Sequence, residues 1–69
     1  MTRTSAKMLD QMATELADFS GKKCIVVTGV RGCDVHFDGE QHRFKTFTDA
    51  WNWMFDTQKP YFDAWLAAL

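Results

Sequence analysis

The pair Asp38-Gly39, set between two stretches of alternating polarity, constrains this chain more than any other feature. Asp-Gly readily supplies the positive-φ positions of a type I′ turn, which closes a two-residue hairpin. The turn then fixes the register of its strands: Phe37 faces Glu40, Val35 faces His42 and Cys33 faces Phe44, with Asp34 opposite Arg43 and His36 opposite Gln41. Because side chains alternate along a strand, one face collects Cys33, Val35, Phe37, His42 and Phe44, and the other Asp34, His36, Gln41, Arg43 and Lys45. The first face is expected in the core. Asp34 and Arg43 are expected as a cross-strand ion pair on the second.

Residues 22–28 are β-branched and bounded by glycines, so they read as a further strand, joined to the hairpin by the turn Gly29-Val30-Arg31-Gly32. Its parity stays open: either Ile25 and Val27 or Cys24 and Val26 join the core. Upstream, Met8, Leu9, Met12, Ala13, Leu16 and Phe19 recur at spacings of three and four, which predicts a helix over 5–20. Thr4 or Ser5 is placed to cap its start, and Gly21 to end it in the left-handed conformation.

Downstream, Thr46-Phe47-Thr48-Asp49 is a capping box with Asp for the usual Glu, and Phe47, Ala50, Trp51, Met54 and Phe55 share one helical face. Pro60 disfavours helical geometry in the residue before it, so this helix is expected to break at Gln58-Lys59-Pro60. A third helix then carries the stripe Phe62, Trp65, Leu66 and Leu69. The expectation is one α+β domain over 1–69: a three-stranded antiparallel β-meander with helices on one face, in the order αβββαα. A chain of this length opening on Met is expected to be a whole gene product.

A core of this size supplies only about 3–5 kcal/mol of net stability. Six Phe, three Trp and one Tyr are the means by which 69 residues bury enough area. Two cysteines, Cys24 and Cys33, are too few for a disulfide scaffold, and no apolar stretch is long enough for a signal core or a membrane span. The reading is of a cytoplasmic protein with reduced thiols.

Cys33-x-x-His36 has a zinc-like spacing, but residues three apart on a strand point to opposite faces, and His36 and His42 also fall on opposite faces. No metal or other cofactor is expected. A Cys33–His42 dyad shares a face, but that face is the core, where no substrate reaches it. Gly29-Val30-Arg31-Gly32 lacks the spacing and the following helix of a phosphate loop. No catalytic residue emerges, and the chain reads as a non-enzyme.

Two kinds of macromolecular partner remain. The net charge of −1 is unevenly placed: Lys22, Lys23, Arg31, Arg43 and Lys45 outweigh the acids of residues 22–45, whereas Asp49, Asp56 and Asp63 outweigh Lys59 in the last third. The order helix, three strands, helix and the chain length are similar to the double-stranded-RNA-binding domain. That resemblance implies a basic start to the last long helix for phosphate contacts; here the stretch is Thr46-Phe47-Thr48-Asp49-Ala50-Trp51, with no lysine after Lys45. A nucleic-acid site would rest instead on the basic strand residues Lys22, Lys23, Arg31, Arg43 and Lys45.

A protein partner is the preferred expectation. Trp53 lies about half a turn off its helix's apolar stripe, Tyr61 lies beside the next stripe, and Asp49, Asp56 and Asp63 repeat every seven residues. These five are the candidate protein-binding residues. The size class suits a small regulator or inhibitor such as phages and mobile elements carry against host protein complexes, with self-association as a way to bury surplus aromatic surface.

Overall fold

A computed structural model describes residues 4–69. The elements run α1 (Ala6–Ser20), β1 (Cys24–Gly29), β2 (Gly32–Phe37), β3 (Glu40–Phe44) and α2 (Phe47–Ala67). The strands form one antiparallel sheet in the order β1-β2-β3. α1 lies over β1, and α2 lies over β2 and β3, so both helices cover the same face.

Local chemistry sets the boundaries where expected. The Ser5 hydroxyl accepts the Met8 N–H at 3.2 Å, and the Thr46 hydroxyl accepts the Asp49 N–H at 3.1 Å. Gly21 ends α1 at φ 69°, where a side chain would strain the backbone. Asp38 and Gly39 adopt φ 52° and 83°, and the β2–β3 register is the one the Asp-Gly turn dictates, from Phe37 opposite Glu40 to Cys33 opposite Phe44. β1 takes the second parity: Cys24 pairs with Phe37 and Val26 with Val35, so Cys24 and Val26 pack on the core while Ile25 and Val27 turn to solvent.

The core is Leu9, Met12, Ala13 and Leu16 from α1, Cys33, Val35 and Phe37 from β2, and Ala50 and Met54 from α2. The two helices run parallel: Thr4 and Thr48 hydroxyls meet at 2.9 Å at one end, and Phe19 packs edge-on against Phe62 and Trp65 at the other, with ring centroids 5.1 and 5.4 Å away.

The expected third helix is not a separate element. α2 continues through Pro60 as one 21-residue helix. Proline removes one N–H and crowds the carbonyl four residues back, here that of Asp56. Both Pro60 and Asp56 are exposed, so the proline lies on the solvent side of the helix, where water can satisfy a carbonyl that loses its N–H partner. Tertiary packing of Met54, Gln58 and Tyr61 across the proline holds the helix together. The domain therefore has the order αβββα. Among the described residues no helix is long and apolar enough to cross a membrane.

Candidate protein-contact surface

The five residues expected to meet a protein partner divide into two groups. Trp53 and Tyr61 are half-buried and packed against the core. Trp53 lies 4.4 Å from the His42 ring, 5.8 Å from Phe44 and 6.1 Å from Phe37; Tyr61 lies 6.4 Å from Phe37. Much of their surface is thus committed to roofing β2 and β3. Asp49, Asp56 and Asp63 are all exposed, and on an unbroken α2 a seven-residue repeat drifts only about 20° per step, so they form one acidic row.

Beside that row lies a surface the sequence reading assigned to the core. Phe55 and Leu66 are each 46% exposed, Trp65 47% and Leu69 86%. Phe55 stacks on Trp51 at 5.2 Å, and Phe62 stacks on Trp65 at 6.0 Å, giving a rigid aromatic row along the helix. Between this row and α1 runs a cleft of about 390 Å³ with Met12, Phe55 and Phe62 in its walls. Gln58 also lines it; the residue is buried, and its Oε1 has no hydrogen-bond partner. The sequence did hold a signal for this surface: apolar residues cover too wide an arc of α2 for a three-stranded sheet to bury. A proline read as a break concealed it by splitting the arc between two helices.

The basic residues are spread around the opposite side. Lys23, Arg43 and Lys45 are exposed on or beside the outer sheet face, and Arg31 is exposed in the β1–β2 turn. Two of the five are already compensated. Lys22 pairs with Asp38 at 3.2 Å, and Arg43 Nη1 lies 3.5 Å from Asp34 Oδ1, an ion pair without hydrogen-bond geometry. The middle of that face is Ile25 and Val27 with the exposed His36 imidazole opposite Ile25, and it carries no Phe, Tyr or Trp ring among the described residues for a base to stack on. The first turn of α2, where the likeness to double-stranded-RNA-binding domains implies lysines, presents Asp49.

The residues that invited a catalytic or metal reading are kept apart. Cys33 is buried and His36 exposed on the other face; no cluster of three or more His, Cys, Asp or Glu occurs among the described residues. His42 stacks on Trp53, with Glu40 Oε2 3.6 Å from its Nε2. The Cys33 thiol points to the Thr46 carbonyl at 4.0 Å. Burial, helped by the Asp34 carboxylate, pushes its pKa up, and burial does the same for Cys24. Both are the reverse of an activated nucleophile. Iodoacetamide should therefore label native Cys33 far more slowly than the urea-unfolded chain, with Cys24 intermediate; equal rates would contradict this packing. The sign of the linkage follows. Both thiols are harder to ionise when folded, so above the ordinary thiol range the folded state holds more protons and stability falls as pH rises.

No family model matches this chain, and comparison with curated proteins and with solved structures finds no match either.

Proposed function

We propose that this chain is a non-enzymatic protein-binding module, a small cytoplasmic regulator or inhibitor of the kind phages and mobile elements direct at a host protein complex. One observation carries the reading: a 69-residue chain leaves Phe55, Trp65 and Leu66 of one helix, and Leu69 just beyond its end, partly or largely in solvent. Scattered exposed apolar residues are ordinary, whereas a contiguous aromatic row with a cleft behind it and charges at its border has the make-up of a contact surface. Glu15, Asp56 and Asp63 outweigh Lys59 around it, favouring a partner with basic residues around an apolar centre. Trp53 and Tyr61 contribute by holding α2 on the sheet.

The rival reading, a small nucleic-acid-binding domain using Lys22, Lys23, Arg31, Arg43 and Lys45, draws on the exposed cations of the outer sheet face. A photocrosslinking residue at Leu66 separates the two. The expected result is a discrete protein adduct in cells, lost with Phe55→Ser and retained with Arg31→Glu/Lys45→Glu. Copurifying nucleic acid that high salt strips, and that Arg31→Glu/Lys45→Glu removes, would overturn the proposal in favour of the sheet face.

A further inference from the structure

We propose that the free edge of β1 is a pairing surface for a second copy of this chain, giving a continuous six-stranded sheet across a twofold axis. This surface is distinct from the α2 row and does not depend on it.

β1 is an outer strand of the sheet. The Asp38 N–H donates to the Lys23 carbonyl at 3.0 Å, and the ladder continues from Cys24 opposite Phe37 to Gly29 opposite Gly32. In an antiparallel pair the backbone groups of successive residues turn alternately to the neighbour and away from it. Lys23, Ile25, Val27 and Gly29 therefore bond to β2, and the N–H and C=O groups of Cys24, Val26 and Thr28 point outward. No backbone partner for these three occurs outside the β1–β2 ladder among the described residues.

Natural edge strands are blunted by charges, prolines or bulges. Cys24–Gly29 has no charged residue and no proline, and it pairs with β2 without a bulge. Ile25 and Val27, 44% and 53% exposed, lie on its outer face. β3, the other edge, carries Glu40 and Arg43 within five residues. The two edges of one small sheet are thus treated differently.

The strand is complementary to itself. Antiparallel pairing centred on Val26 sets Cys24 against Thr28 of the second copy, and each outward-facing residue then exchanges both of its backbone bonds. Ile25 falls beside the second copy's Val27 and Val27 beside its Ile25, joining two exposed apolar pairs into one patch. Lys22 and Lys23 fall opposite uncharged Val30 and Gly29, so no like charges stand directly opposite along the paired strands. On α1, Met12 and Glu15 line the cleft toward α2 and Phe19 packs edge-on against α2. At 100° per residue the opposite flank, above the β1 edge, carries Ala6, Ala13 and Ala17 with Asp10 among them. α1 packs on β1, so the second copy's α1 has to cross it here, over the small side chains of Ala6 and Ala17.

Size-exclusion chromatography with light scattering, run from micromolar to near-millimolar protein, tests this directly. The wild-type mass should double with concentration, and the amides of Cys24, Val26 and Thr28 should become slow to exchange as it does. Thr28→Pro removes an outward N–H and leaves the β1–β2 ladder intact; by symmetry the loss counts twice, weakening association roughly tenfold to a hundredfold. Val27→Lys, an exposed position opposite Asp34, should give the same monomer with unchanged far-UV circular dichroism and stands in if the proline variant misfolds. A monomer at every concentration overturns the proposal. So does a dimer that survives both variants, or one that Phe55→Ser abolishes instead.

Discussion

Gly32→Ala should leave the chain largely unfolded at room temperature. Gly32 sits at φ +124°, a conformation that costs a side-chain-bearing residue about 1–3 kcal/mol. A Cβ there would also overlap the Phe44 carbonyl oxygen and stand 3.1 Å from that of Lys45. Both are backbone atoms at the end of β3, immediately before the Thr46 cap of α2, so relief requires moving the strand that launches the helix. Overpacking of that sort costs about 1–3 kcal/mol more. The sum rivals the roughly 3–5 kcal/mol that holds a domain of this size together. Far-UV circular dichroism and a thermal melt decide it: a cooperative transition within a few degrees of wild type would show that the turn adapts. Gly39→Ala is the matched control. Its φ is +83° but nothing lies within 4 Å of the added carbon, so only backbone strain of about 1–2 kcal/mol remains.

Leu16→Ala should cost about 2–5 kcal/mol, again most of the available stability. Leu16 is wholly buried and sits in the cluster that joins α1 to Val35 of β2 and Met54 of α2. Removing its branched end leaves a cavity that two helices and a sheet cannot all close around. Urea unfolding monitored by Trp fluorescence reads the loss as a lower midpoint with an unchanged slope. Leu69→Ala, at a position 86% exposed, should move that midpoint by less than about 0.5 kcal/mol. If both variants behaved alike, the core described above would be misplaced.

α2 owes its contact row to its continuity through Pro60. Its apolar residues outnumber what the sheet can cover, and it is one helix because Pro60 lies on the face that water solvates. The acidic row and the aromatic row gain their alignment from that continuity. Broken at Gln58, the same residues would lie on two unrelated helices. The functional proposal thus rests on an arrangement that follows from where the proline points.

The local pairings were determined by the sequence alone. Asp38-Gly39 sets the β2–β3 register because a two-residue turn leaves its strands one way to pair, and Ser5, Gly21 and Thr46 set the helix ends through single hydrogen bonds or a single backbone angle. These effects act over a few residues and are written in those residues. The tertiary structure decided the parity of β1, the passage of α2 through Pro60 and the fate of Trp53. Each depends on which of two apolar surfaces is covered. Cys24/Val26 and Ile25/Val27 are both suited to burial, and only the placement of α1 over one face selects between them. Trp53 roofs His42 and Phe44 because the sheet lies beneath that flank of α2, while Phe55 is left half in solvent because none of the described elements covers it. Burial is a property of two surfaces meeting, and no single stretch of sequence contains both.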